Sequence, residues 1–428
     1  MISKPFFSWL KPKLKYPVIP EYDKDILKDI PLPDVITLHV ARTSSEIGDL
    51  IVNLGDKVKT GQKVRMSGGT EEYFISMATG TISDISGFLG YLGKNFTSIS
   101  IKTEGKDTWD EEFKGIRDTI SSQDAITFLG ALPGNPDFAS ILDPETSYDT
   151  IVIQGMDRDL LVATNQYIVK SEPEKLKKGI AHLKSITNID RIIIIVPPEL
   201  VAEAERTGAD VRVIGPVYPD SLSEIVMKNV FNRIVPAGKS CDDLGVAFIN
   251  AEAVAALASA FEEGKIPVHK ILTVINKDGR TGLVKARIGT PLKDLFEALS
   301  IETKHGDRVV LGGPMRGTSI YTEEMPVSSD TDAVMVQDRE QIVTPSDTPC
   351  VNCGECVRAC PSRIPVNMLV RVLENGLYEE AADQYDLFSC VECGLCSYVC
   401  VAKIPVFHYI MLGKHELERI KTMEESHA

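Results

Sequence analysis

Two copies of one cysteine pattern constrain this chain more than any other feature. Residues 350–360 read C-V-N-C-G-E-C-V-R-A-C, and residues 390–400 read C-V-E-C-G-L-C-S-Y-V-C. Each is a C-x2-C-x2-C-x3-C run, so eight of the nine cysteines fall in the two copies. This spacing belongs to thiolate ligation of a cubane [4Fe–4S] cluster, with the fourth cysteine of each run serving the other run's cluster. Three cysteines on a tight loop cover one face of a cube, and the fourth corner must come from elsewhere in the chain. The predicted ligand sets are Cys350, Cys353, Cys356 and Cys400 for one cluster, and Cys390, Cys393, Cys396 and Cys360 for the other. A zinc site would use two cysteine pairs and four ligands rather than two sets of four. A disulfide framework suits small secreted domains, whereas this chain has 428 residues and is expected to lack a secretory signal.

The rest of the composition bounds the partners. Lys and Arg number 46 against 61 Asp and Glu, a net charge of −15, which argues against a nucleic-acid partner because phosphate binding needs a concentrated positive face. The longest aliphatic run, Ile192 to Val196, is far too short to cross a bilayer. Thiolates and labile clusters suit a reducing compartment, so the cytoplasm is expected. The first residues mix Phe6, Phe7 and Trp9 with Lys11, Lys13 and Lys15. This arm suits either docking at a membrane surface or packing along the protein's own surface, and its prolines favour the latter.

Local patterns divide the chain. An N-terminal arm is expected over 1–34, followed over 35–105 by short strands broken by glycine turns. There G-D-x-V-x-x-G-x-x-V (Gly55 to Val64) precedes Ala78-Thr-Gly-Thr-Ile82. The pairing resembles a barrel-sandwich hybrid of the lipoyl-carrier kind. Met77-Ala78-Thr79-Gly80 stands where a carrier would present a lysine, so the unit is read as structural. Over 110–245, Thr150 to Gln154 and Arg191 to Val196 are β-branched runs without polar alternation, the mark of buried parallel strands. A crossover helix is expected over 174–185, with Ser171 and Glu174 as a capping box. This is a Rossmann-like, three-layer α/β arrangement. Over 247–325 a helix from Ala251 to Glu263 leads into a small β-rich unit, with Thr290 expected to cap a helix starting at Pro291. A linker is expected over 326–349 with one strand near Ala333, then the cysteine domain over 350–412 with helices between its runs, and a tail over 413–428.

The order of these parts, with Ile249-Asn-Ala-Glu-Ala253, Arg287-Ile-Gly-Thr-Pro-Leu292, Gly312-Gly-Pro-Met-Arg-Gly317 and the eight cysteines, resembles the RnfC family. These are the C subunits of Rnf ion-translocating electron-transport complexes. The resemblance implies a multidomain α/β and α+β chain: a barrel-sandwich hybrid, a Rossmann-like three-layer domain, a β-grasp (SLBB-like) unit and a helical two-cluster ferredoxin domain. It also implies two [4Fe–4S] clusters, partner subunits of a membrane redox complex, a soluble carrier such as a ferredoxin-like protein or a cytochrome, and a peripheral place on the inner face of the cell membrane. Members that bind FMN and NADH carry a G-x-G-G-A-G-F-P loop. Here the place reads Leu129-Gly-Ala-Leu-Pro-Gly-Asn-Pro136, with fewer glycines and two prolines that lack N–H donors. The family's N-G-x-E-C-E-P becomes Gln154-Gly-Met-Asp-Arg-Asp-Leu160, keeping acids only at Asp157 and Asp159. FMN is therefore expected to be absent. The leading expectation is an electron-relay subunit without hydride chemistry of its own. The alternatives are an NADH-oxidising FMN subunit and a soluble relay for a heterodisulfide-reductase-type partner. The ninth cysteine, Cys241, lies outside both runs and is expected to be inert.

Overall fold

The computed structural model describes residues 13–17, 27–41, 51–66 and 72–427, as a mixed α/β chain with three principal sheets and a helical C-terminal part. Phe6, Phe7, Trp9 and Lys11 lie outside the described residues.

The first sheet orders its strands Val35–Ala41, Asn95–Thr103, Gly80–Leu89 and Lys57–Val58, all antiparallel, beside a two-stranded pair of Lys63–Arg65 and Tyr73–Ile75. Ile36 stands opposite Ile101, and Ile101 opposite Ile82, so one face is a β-branched row that is fully buried. Where a carrier's tip would be, Met77 and Ala78 are buried. The Met77 carbonyl accepts from Arg287 at 3.1 Å, and Arg287 also pairs with Asp107 at 2.8 Å.

The second sheet is wholly parallel, ordered Asp210–Val213, Arg191–Val196, Thr150–Gln154 and Val246–Asn250. Side chains alternate between faces with a period of two. Ile151, Ile153, Ile192 and Ile194 face helices Pro173–Thr187 and Ala251–Glu263. Val152, Ile193 and Ile195 point the other way, onto helix Ser223–Val230 and onto Cys393 and Leu395 of the second cysteine run. The two covering helices cross at Gly179, where an added Cβ would lie 2.0 Å from the Val254 carbonyl oxygen. The expected capping box does not form. Ser171 ends a preceding helix, Thr164–Ser171, and bonds back to the Tyr167 carbonyl, while Pro173 occupies the first turn of the crossover helix with Glu172 before it.

The third sheet has six strands in the order Leu27–Asp29, Thr281–Arg287, His269–Ile275, Ala333–Gln337, Arg308–Leu311 and Thr318–Ile320. Two of them come from segments expected to be an arm and a linker. Leu27–Asp29 pairs in parallel with Leu283 to Lys285, and Ala333–Gln337 lies mid-sheet between His269–Ile275 and Arg308–Leu311. The strand expected near Ala333 forms as Ala333–Gln337, Ala-Val-Met-Val-Gln, but it is a central strand and not part of a linker. Helix Leu292–Leu299 covers this sheet with Leu292, Leu295 and Phe296. It begins after Pro291 rather than at it, and the buried Thr290 hydroxyl caps nothing.

The C-terminal part consists of helices Glu355–Ala359, Val366–Glu374, Tyr378–Tyr385, Leu395–Val399 and Val406–His427. No helix among the described residues is long and apolar enough to cross a membrane.

Candidate metal centre

Each cysteine run folds in the same way. Its third cysteine lies in a one-turn helix, entered through a glycine with positive φ: Gly354 at 75° and Gly394 at 69°. A side chain is disfavoured in that backbone region. Asn352 and Glu392, immediately before the second cysteine of each run, also carry positive φ, of 54° in both cases, which tightens the two loops alike. The one-turn helices Glu355–Ala359 and Leu395–Val399 pack against each other, bringing the two runs face to face.

The cysteines gather across the runs. Cys356 lies within electrostatic reach of Cys350, Cys353 and Cys400, and Cys393 within reach of Cys390 and Cys360. All eight are free thiols; Cys350, Cys356, Cys360, Cys390, Cys396 and Cys400 pack in one cluster with Ile364, Leu369, Ile404 and Ile410, while Cys393 packs with Val152, Ile193 and Ile195 of the parallel sheet. Burial pushes the Cys356 thiol up to about 11 and the Cys393 thiol up to about 12. Backbone N–H groups of Val357, Leu395 and Ser397 act the other way on Cys356, Cys393 and Cys396, and the Glu392 N–H donates to the Cys390 sulfur at 3.4 Å. Donors aimed at sulfur are the means by which proteins steady and tune iron–sulfur groups. Among the described residues no group of three or more His, Cys, Asp or Glu side chains converges to hold a single metal ion. The donors present are thiols, the ligands that iron–sulfur cubes take.

The two runs differ in their surroundings. The second run is docked on the parallel sheet: the Tyr218 hydroxyl donates to the Cys393 carbonyl at 2.6 Å, and Lys414 reaches the Cys390 carbonyl at 2.9 Å and the Glu392 carboxylate at 2.8 Å. Arg316 donates to the Glu392 carbonyl at 3.1 Å, and a Cβ on Gly394 would come within 2.3 Å of the Met315 carbonyl oxygen. The first run faces outward, with Val351 and, beside Cys400, Val401 exposed. Tyr218 could not be picked from sequence, since it lies 175 positions from the residue it bonds, whereas Met315 and Arg316 fall in the Gly312–Gly317 motif.

The two acids kept from the flavin-site pattern have structural partners. Asp157 is buried and accepts from the backbone N–H groups of Asn165 at 2.8 Å and Gln166 at 3.4 Å, at the start of helix Thr164–Ser171. Asp159 accepts from the N–H groups of Met315 at 3.1 Å and Arg316 at 2.7 Å, tying the Gly312–Gly317 turn to the parallel sheet. In the loop 129–136, Leu129 and Leu132 are fully buried, the Gly134 N–H donates to the Ser329 carbonyl at 2.7 Å, and its carbonyl accepts from Asn250 at 3.1 Å. Behind it lies a buried ionic group that the sequence did not announce: Lys270 pairs with Glu252 and, at 3.2 Å, with Asp332. In front of it a cleft of about 800 Å³ is bounded by Asn135, Arg158, Asp159, Gly313 and Tyr321. Cys241 is buried and burial raises its thiol to about 12.

Comparison with known proteins places this centre. A family model described as "4Fe-4S dicluster domain" matches residues 342–401. The chain is 26% identical over 362 residues to the C subunit of the ion-translocating oxidoreductase complex of Edwardsiella ictaluri, covering 79% of this chain and 45% of that protein. It is 24% identical over 381 residues to the C subunit of the proton-translocating ferredoxin:NAD(+) oxidoreductase complex of Clostridium ljungdahlii, covering 84% and 83%. The Na(+)-translocating counterpart of Acetobacterium woodii is 23% identical, covering 82% and 85%. The chain thus spans about half the length of some curated relatives and most of the length of others. Among solved structures, a chain of an NAD+-reducing [NiFe]-hydrogenase aligns with a TM-score of 0.44 at 13% identity, over 70% of this chain and 67% of that one. The chain is RnfC-like, a distant relative, over about four-fifths of its length, of the C subunits of ion-translocating oxidoreductase complexes.

Proposed function

We propose that this protein is the iron–sulfur relay subunit of a membrane-associated oxidoreductase complex. Two [4Fe–4S] clusters pass single electrons, one held by Cys350, Cys353, Cys356 and Cys400, the other by Cys390, Cys393, Cys396 and Cys360. The observation that carries this reading is the packing of helices Glu355–Ala359 and Leu395–Val399, which sets each run's first three cysteines beside the other run's fourth. When bound, the clusters supply one-electron chemistry. The chain's part is to bury them, to direct N–H groups at sulfur and to hold the second run against the parallel sheet. The partners are the other subunits of such a complex, at the inner face of the cell membrane.

The chain does no hydride chemistry of its own. The Gly134 N–H and the acids Asp157 and Asp159 are committed to protein partners, which takes them out of any cradle for a flavin phosphate. The first sheet is read as a barrel-sandwich hybrid, the second as Rossmann-like and the third as a β-grasp unit, all serving as scaffold. A second reading, an FMN subunit oxidising NADH, is favoured by one feature, the 800 Å³ cleft, which lies in the size range of cofactor sites. EPR through a stepwise reductive titration, together with the flavin content of the anaerobic protein, separates the two. The relay reading expects two interacting [4Fe–4S] signals and no flavin radical, whereas a stoichiometric flavin semiquinone overturns it.

A further inference from the structure

A cleft of about 500 Å³ opens between helix Ser223–Val230, the loop 234–239 and the second cysteine run, and Cys390 itself forms part of its wall. Its charge is opposite to that of the whole chain. Lys228, Lys239, Arg316, Arg363 and Lys414 line it against two carboxylates, Glu224 and Glu392, on a molecule of net charge −15. Glu392 is already taken by Lys414, and Lys239 meets Asp243 only across an exposed 3.2 Å pair. Around this positive ring stand Ile234 and Phe388, 77% and 42% exposed. A small anion would use the cations but not the apolar side chains. Apolar contacts within a charged rim are the pattern of a protein interface, here one that binds a negatively charged face.

Resting on the relay reading above, we propose that this cleft is the docking site of an acidic one-electron carrier protein, which exchanges electrons with the cluster of the Cys390 run. In the step, the carrier's reduced centre would give up one electron, which a cluster held by Cys390, Cys393, Cys396 and Cys360 would accept. No bond is made or broken and no proton moves. Cys390 in the wall brings a docked carrier next to one of the thiols proposed to hold that cluster, and the cations speed encounter by steering the acidic face.

The test uses the full chain with its clusters and, as probe, reduced flavodoxin, an acidic carrier whose flavin spectrum is distinct from that of the clusters. Reduced methyl viologen, a small cation that needs no docking site, serves as the control reductant. Lys228→Glu combined with Lys239→Glu reverses charge on the cleft wall opposite the cysteines. The second-order rate of cluster reduction by flavodoxin should fall at least about tenfold in the double variant and fall steeply with salt in the parent, as steered encounters do. The rate with methyl viologen, a cation that added carboxylates attract, should not fall. A flavodoxin rate insensitive to both salt and charge reversal overturns the docking site. Clusters that methyl viologen fails to reduce overturn the relay reading itself, and this proposal with it.

Discussion

The Tyr218 hydroxyl donates to the Cys393 carbonyl at 2.6 Å, joining the parallel sheet to the second cysteine run through a fully buried bond. It links the scaffold to the part that carries the thiols. Removing it in Tyr218→Phe leaves a buried acceptor without its donor, a loss of about 1–3 kcal/mol. Urea unfolding of the anaerobic protein should show a lower midpoint at unchanged iron content. An unchanged midpoint would mean that the hydroxyl plays no part in docking.

Gly354 and Gly394 occupy equivalent places in the two runs, yet only one is pressed against the scaffold. A methyl on Gly394 meets the Met315 carbonyl oxygen at 2.3 Å, whereas one on Gly354 meets the movable Arg358 guanidinium at 3.2 Å. Both alanines bear the strain of a positive φ, but Gly394→Ala adds backbone overpacking of about 1–3 kcal/mol. Thermal unfolding should therefore rank Gly394→Ala below Gly354→Ala, and equal melting temperatures would contradict the docked geometry.

Asp157 gives the protein a pH signature. Burial raises its carboxyl from 3.8 to about 6, against the pull of the Asn165 and Gln166 N–H groups. The folded state therefore holds this proton more tightly than the unfolded chain does. Its stabilising contribution is full below about pH 3.8 and is lost as pH rises through about 6. Between pH 5 and 7 the parent should lose roughly 1 kcal/mol relative to Asp157→Asn. Chemical denaturation of both proteins at the two pH values measures the difference, and a pH-independent gap would place the ionisation elsewhere.

The elements that the sequence made legible are those whose signal is local. Thr150–Gln154 and Arg191–Val196 are strands because β-branched runs have little other use, and Ala251–Glu263 is a helix of alanines closed by Gly264. The cysteine spacing likewise carries its own geometry. What could not be read depends on distant partners. The strand at Ala333–Gln337 was legible from its apolar run, but its central position was not, because the strands 269–275 and 308–311 that flank it are distant in sequence. Ser171 had the right spacing for a cap, but a second helix ending there claimed its hydroxyl. Asp157 and Asp159 looked like remnants of a flavin site, and only the fold gives them backbone partners at 165–166 and 315–316.

The central claim is that the two cysteine runs hold paired cubanes and that the chain carries electrons without a flavin. Cofactor analysis of the anaerobically purified protein tests it most directly, by counting iron, acid-labile sulfide, zinc and flavin per chain. Two four-iron cubanes predict about eight iron and about eight sulfide, with flavin well below one per chain and no zinc. Zinc in place of iron, or one FMN per chain that NADH bleaches, would contradict the account.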